Sequence, residues 1–465
     1  MIIDTSTSFV RSVKAWLVGG ALVAGLAVPV ATMAGQGSVS IDTKLSQSKL
    51  VQSGDNIVYL NVTIRPSPQH ERISERRATD LLLLLDRSGS MSEARKMPYA
   101  KAAIREVLGR LDGNDRFALV TFSDQAVVAS HWLNVDAANR YHLDRLVEGV
   151  SASGGTNMGE GLQAVLRLLQ YGDSERVRKV LLLSDGQANQ GITHPDLLAN
   201  MATQATRYGA VMSTIGMGLG FNERLLAKLA DYGMGHYSYL EDLSGLAAIL
   251  NRDLQDSRRL YASRSTLEIR LGEGVQLVDA GGYPLSRGGS TVTITTGQLL
   301  SNTAKHFVIT LRVPNVRTGS LTLGDLRLNY RVDGETLQAV PDRQLTLSVV
   351  APERRDEARQ SIDREVYRQS WLENNLGRAK KQLGRWLREG KREQAEQVIG
   401  NYKRELKEAE RDSAIELASP AVNEALQQME SQVDEAFSGS LQEQHIKQNR
   451  AAKSLQYEAI KQQRK

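Results

Sequence analysis

The sequence predicts an α/β protein in which a doubly wound, mostly parallel six-stranded sheet is inserted in a β-sandwich and followed by a C-terminal α-helical region. Three observations carry that prediction. Between Asp80 and Arg259, short apolar runs alternate with amphipathic stretches of helix length, the pattern of a parallel sheet covered by helices on both faces. On either side of this stretch apolar residues recur at every second position, as they do in strands that bury one face. After Pro352 the period becomes helical, with Leu372, Leu376, Leu383 and Leu387 on a common face.

A chain of 465 residues is too long for one core, so several domains are expected. Hydrophobic residues make up 41% and charged residues 24%, the composition of a folded globular protein. The balance of 58 basic to 53 acidic residues is a small excess spread along the chain, which favours a solvated surface and no nucleic-acid partner. With no cysteine, disulfides, thiolate zinc sites and a cysteine nucleophile are excluded. The seven histidines are scattered, none at His-x-x-x-His spacing, which argues against an imidazole-based metal site.

From the amino terminus, Arg11 and Lys14 precede an apolar stretch, Ala15 to Ala34, interrupted only by Thr32. Residues 1–35 therefore read as a signal peptide or a membrane anchor, placing the remainder on the periplasmic or extracellular side. In residues 36–77, Val58, Leu60, Val62 and Ile64 alternate with Tyr59, Asn61 and Thr63 as a half-buried strand that Pro66 and Pro68 end. So few strands are too small to stand alone, and they are expected to join the second β region at 259–352 into one sandwich. There the alternating sets are Leu267 to Leu271, Phe307 to Val313, Leu326 to Val332 and Leu345 to Val349, with Asp333-Gly334 as a hairpin turn between the last two.

The inserted domain, 78–258, is expected to carry strands at Asp80–Asp86, Arg116–Phe122, Ala126–Ser130, Val177–Leu183, Val211–Ile215 and His236–Leu240. Helices are expected at Ala94–Leu111, Asp136–Val150, Met158–Gln170, Pro195–Tyr208, Asn222–Asp231 and Leu243–Asp256. Ser123-Asp124-Gln125 is too short for a crossover, so the second and third strands form a hairpin at an edge. Residues 353–437 read as a helical hairpin or small bundle broken at Gly390 and Pro420, and 438–465 as a polar basic tail, disordered or helical only on a partner.

The chemistry concentrates where apolar strands end. Asp86-Arg87-Ser88-Gly89-Ser90 follows the run Leu81 to Leu85, and in open α/β sheets ligands bind at the carboxyl ends of strands. Positions 86, 88 and 90 share a period of two, presenting one carboxylate and two hydroxyls together. Gly154-Gly155-Thr156-Asn157 offers a third hydroxyl, and Leu181 to Leu183 followed by Ser184-Asp185-Gly186 a second carboxylate. Such hard oxygens suit Mg2+ or Mn2+, and a magnesium site of this composition keeps a position that an acidic side chain of a partner could fill.

Asp86-x-Ser88-x-Ser90, Thr156 in its Gly-Gly-Thr-Asn loop, and Ser184-Asp185-Gly186 together resemble the three loops of the metal-ion-dependent adhesion site of von Willebrand factor A domains. Gly216-Met217-Gly218, Asn222-Glu223 and Gly233-x-Gly235-His236-Tyr237 extend the resemblance over about 78–255. It implies that Ser88, Ser90 and Thr156 are direct metal ligands, that Asp86 and Asp185 act mainly through water, and that the protein binds an Asp or Glu of a protein partner without catalysis. Two alternatives remain: a metal-assisted phosphohydrolase with Asp86 as nucleophile, and a scaffold that the ion merely stabilises. Against the first, Ser88 stands where such enzymes need a second acid, and no lysine or histidine occupies an evident helper position. The glycines from Gly216 to Gly220 read as turn residues, and the sequon Asn61-Val62-Thr63, inside a strand, carries no function.

Overall fold

The computed structural model describes residues 39–52, 55–67, 78–171, 176–314, 317–332 and 334–463. The segment 1–35, read above as a signal or anchor, lies outside the described residues. Among those described, no helix is long and apolar enough to cross a membrane.

The chain begins with β1 (Val39–Leu45), β2 (Lys49–Val51) and β3 (Asp55–Pro66). It then enters an α/β layer made of β4 (Thr79–Asp86), α1 (Lys96–Arg110), β5 (Arg116–Phe122), β6 (Ala126–Asn134), α2 (Ala137–Gly149) and α3 (Met158–Gln170). The layer continues with β7 (Val177–Ser184), α4 (Pro195–Arg207), β8 (Ala210–Met217), α5 (Glu223–Tyr232), β9 (Met234–Leu240) and α6 (Leu246–Arg258). Its six strands lie in the order β6-β5-β4-β7-β8-β9, parallel except for the edge hairpin β5–β6. The reason is visible in β4, all of whose residues are buried. Leu81, Leu83 and Leu85 face the core under α1, α2 and α6, while Leu82 and Leu84 face the core under α3, α4 and α5. Asp136, Asn157 and Asn222 cap α2, α3 and α5 by accepting backbone N–H bonds.

The expected helix start at Ala94 is corrected. Ala94 and Arg95 have φ of 48° and 58°, left-handed values that end a short 3-10 turn and delay α1 to Lys96.

The second β region adds β10 (Leu260–Leu271), β11 (Gln276–Ala280), β12 (Leu285–Gly288), β13 (Thr291–Leu300), β14 (Lys305–Pro314), β15 (Gly319–Val332), β16 (Glu335–Ala339) and β17 (Leu345–Val350). One sheet runs β1-β3-β14-β11 and the other β12-β13-β10-β15-β17-β2, with β16 also on β15. Leu60, Val62 and Ile64 of the first share a single core with Leu267, Ile269, Leu326 and Leu328 of the second, so the sandwich draws on both flanks of the inserted layer. Gly334, with φ of 88°, does turn a hairpin, but it joins β15 to β16 instead of the run at 345–349; β17 pairs with the earlier half of the long β15.

β3 is buried on both faces, not one. Its odd-numbered side packs beneath helices, with Tyr59 clustered among Trp371, Leu376 and Tyr402, and Asn61 accepting a 2.6 Å hydrogen bond from Ser370. That also leaves the sequon buried.

The helical region comprises α7 (Arg355–Gln360), α8 (Arg364–Arg388), α9 (Arg392–Ser413), α10 (Pro420–Ala436) and α11 (Leu441–Gln463). The last of these corrects the reading of 438–465 as a polar basic tail, disordered or helical only on a partner: 441–463 is a helix packed within this chain. α11 runs antiparallel to α8, and its buried seam consists of Ala452, Leu455 and Ala459 at helical spacing. Its alanines give a weak apolar signal, yet with the glycines of α8 they allow very close packing: a Cβ on Gly384 would stand 2.9 Å from the Ala452 carbonyl oxygen, and one on Gly377 2.8 Å from Gln463. α11 also reaches the α/β layer. Tyr457 meets Tyr237 and Tyr239 edge-on, and the buried Lys453 donates to the Phe221 carbonyl at 2.7 Å and to Glu223 at 3.1 Å.

Candidate metal-binding site

β4 and β7 are adjacent and parallel, with Leu85 beside Leu183, so Asp86 and Asp185 emerge next to each other at the carboxyl edge of the sheet. The loop bearing Thr156 is drawn to the same edge by backbone hydrogen bonds: Ser153 N–H to Arg87 O at 2.7 Å, Gly89 N–H to Gly154 O at 2.9 Å, and Asn157 N–H to Ser123 O at 2.7 Å. Two side chains finish its placement. Asp124 accepts from the Gly155 N–H at 2.8 Å and Asn189 from the Thr156 N–H at 2.9 Å. Asp86, Ser88, Ser90, Thr156 and Asp185, distant in sequence, thus form one constellation.

Its internal bonding is specific. Asp86 Oδ1 accepts from the Ser88 N–H at 2.8 Å and Oδ2 from the Ser184 hydroxyl at 2.6 Å. Asp185 Oδ1 accepts from the Ser90 hydroxyl at 2.8 Å and Oδ2 from the Lys96 ammonium at 2.5 Å. The Ser88 and Ser90 oxygens lie 3.2 Å apart. A Cβ on Gly186 would come 3.2 Å from Thr156 Oγ1 and 3.5 Å from Asp86 Oδ2, which places the third hydroxyl and the first acid on a shared side of that glycine. The Thr156 hydroxyl makes no hydrogen bond to a described residue.

This donor set fits a hard divalent ion. Every carboxylate oxygen is already steadied by a protein donor and keeps lone-pair capacity, and three neutral hydroxyls converge beside them. Among the described residues no group of three or more carboxylate and imidazole side chains gathers to offer a competing site.

Burial pushes the Asp86 carboxyl up to about 6, overcoming the opposing pull of its hydrogen bonds from Ser184 and Ser88. The ion-free fold holds this proton more tightly than the unfolded chain, whose aspartates titrate near roughly 4. The group therefore stabilises the ion-free fold fully below about pH 4, and that contribution is lost as pH rises through about 6. In chelator, melting temperature is expected to fall over this window more steeply for the native chain than for Asp86→Asn. Magnesium should raise it more at pH 7 than at pH 5. Identical pH profiles for the two chains in melting experiments would refute the assignment.

Four residues of the constellation escaped the sequence. Ser184 stood beside Asp185 without a role. Asp124 and Asn189 lie in loops, where no periodicity marks a contact. Lys96 had been given no role: the left-handed pair Ala94 and Arg95 redirects the chain so that its side chain enters the site, where it pairs with Asp185 and not with Asp86. The glycines at 216–220 are close-approach positions as well as turn residues, since a Cβ on Gly220 would come 3.0 Å from the Asp185 carbonyl oxygen.

Comparison with known proteins places these features. Residues 80–252 match the family model described as the von Willebrand factor type A domain. The protein YfbK of Escherichia coli strain K12 is 28% identical over 180 residues, 38% of this chain and 31% of YfbK. The protein sll0103 of Synechocystis sp. is 23% identical over 261 residues, 54% of this chain and 61% of that protein. The chain thus spans about a third to three fifths of these relatives' own length. Among solved structures, a von Willebrand factor type A protein from Catenulispora acidiphila superposes with a TM-score of 0.69 over 92% of this chain and 97% of that one, at 17% identity. That likeness of fold takes in the sandwich and the helical region along with the α/β layer.

Proposed function

We propose that this chain, which carries a von Willebrand factor type A domain at residues 80–252, is an exported binding module whose α/β layer holds Mg2+ or Mn2+ and captures an Asp or Glu side chain of a protein partner. Ser88, Ser90 and Thr156 are the direct ligands in this reading, with Asp86 and Asp185 behind them. The observation that carries it is the division of labour at the sheet edge. Both acids have their oxygens engaged by protein donors, the Ser90 hydroxyl among them, and the hydroxyls of Ser88, Ser90 and Thr156 gather beside them. A bound ion supplies Lewis acidity toward an incoming carboxylate.

The same observation counts against Asp86 as the nucleophile of a phosphohydrolase. That side chain is 0% exposed and accepts hydrogen bonds at both oxygens, and Lys96 approaches Asp185 instead. Export rests on the basic flank and apolar run of residues 1–35. Fractionation of cells that express the full chain tests it, and recovery with cytoplasmic markers alone would contradict it.

For the site, calorimetric titration with magnesium chloride is expected to show one binding event that Ser88→Ala with Thr156→Val abolishes. Pull-downs in magnesium and in chelator should lose any ion-dependent partner with the same double variant. Capture that persists unchanged in a folded double variant would remove the site from consideration.

A further inference from the structure

A cation is built into the constellation. The Lys96 side chain is 8% exposed; its Nζ lies 2.5 Å from Asp185 Oδ2 and donates to the Ser90 carbonyl at 3.1 Å, while Glu93 at 3.9 Å is mostly exposed. Its Cε packs against Gly218, where a Cβ would come within 3.1 Å. Helix energetics do not account for this placement. Lys96 is the first residue of α1, whose first turn holds no acid, and a cation at the positive end of a helix dipole is disfavoured. Asp185 is what holds it there, at the cost of burying an ion pair that apolar residues could replace without loss of stability.

We propose that Lys96 sets the charge of the metal site, a proposal that rests on the reading of the site given above. With Asp86 and Asp185 ionised and Lys96 protonated, these three side chains bear one net negative charge. A divalent ion turns that into one net positive charge, and a partner's carboxylate then restores neutrality. Without the lysine, the ion alone neutralises the site and the acidic ligand has no net charge to meet. Lys96 thus weakens the hold on the ion and strengthens the demand for an acidic partner.

The test is calorimetric titration of the full chain with magnesium chloride and manganese chloride, comparing the native protein with Lys96→Met, Lys96→Gln and Lys96→Arg. Removal of a buried charge so close to the site is expected to tighten ion binding by at least about tenfold in the Met and Gln variants. Arg, which keeps the charge, should stay within about threefold of the native value. In chelator the Met and Gln variants should melt earlier, with Asp185 left unpaired, and magnesium should restore more of their stability than of the native chain's. Ion binding that is unchanged or weaker in whichever of the two neutral variants folds overturns the proposal, because Lys96 is then only a prop for Asp185. A native chain that binds neither ion overturns the reading of the site as well, so the two failures are told apart.

Discussion

Asp185→Ala is expected to destabilise the ion-free protein by about 3–5 kcal/mol, the range found when one partner of a buried ion pair is removed. The substitution leaves the Lys96 ammonium with the Ser90 carbonyl at 3.1 Å and the mostly exposed Glu93 at 3.9 Å, and it deprives the Ser90 hydroxyl of its carboxylate acceptor. Urea unfolding in chelator measures the loss. Asp185→Asn, which keeps an acceptor for Ser90 but not the charge, should fall between the native chain and alanine. A loss below about 1 kcal/mol for alanine, the scale of an exposed pair, would mean that the lysine escapes to solvent and that the site is looser than its bonding indicates.

The other large effect is expected from the carboxyl terminus. Removing residues after Ser440 deletes α11, whose Ala452 and Leu455 share a buried cluster with Leu383 and Leu387 of α8. Each Leu-sized side chain taken from full burial to water forfeits roughly 1.5–3 kcal/mol. Leu383 and Leu455 alone reach roughly 3–6 kcal/mol, and the Lys453 contacts to Phe221 and Glu223 are lost besides. The truncated chain should unfold at distinctly lower urea, bind a hydrophobic dye, and be cut by protease at α8. Gly384→Val is the milder form of the same experiment, since its Cβ would meet the Ala452 carbonyl at 2.9 Å and push α11 outward. A truncated protein as stable as the full chain would contradict the packing described for this seam.

These two cases show where the sequence is readable and where it is not. The buried run of β4 and the aspartates closing β4 and β7 could be read directly, because unbroken apolar strands that end in an acid have few other uses. The bounds of β5 and α3 agree with expectation, and so does the gathering of Asp86, Ser88, Ser90, Thr156 and Asp185 at one edge. Lys96 was hidden by a local reversal: only the left-handed pair Ala94 and Arg95 carries it into the site, and nothing in their identities demands that conformation. α11 was hidden because its seam sets Ala452 and Gln463 against Gly384 and Gly377 of α8, fits made by size instead of by hydrophobicity, with Leu455 as its one large apolar side chain in full burial. β13, with Val292 and Ile294 interleaved among threonines, was missed because its alternation is polar on one side and only weakly apolar on the other.

The discontinuous sandwich has a consequence for how the molecule is made. Ile64 pairs with Lys305, and Leu50 of β2 with Val349, so the early strands find their neighbours only after the whole α/β layer has been synthesised. A chain emerging amino end first holds β3 with one edge vacant throughout that interval, exposed to association with other nascent chains. Rapid maturation of the inserted layer, which depends on its own contacts, shortens the effective distance between the two halves and brings the vacancy to an end. Slowing that layer would therefore surface first as aggregation during biosynthesis.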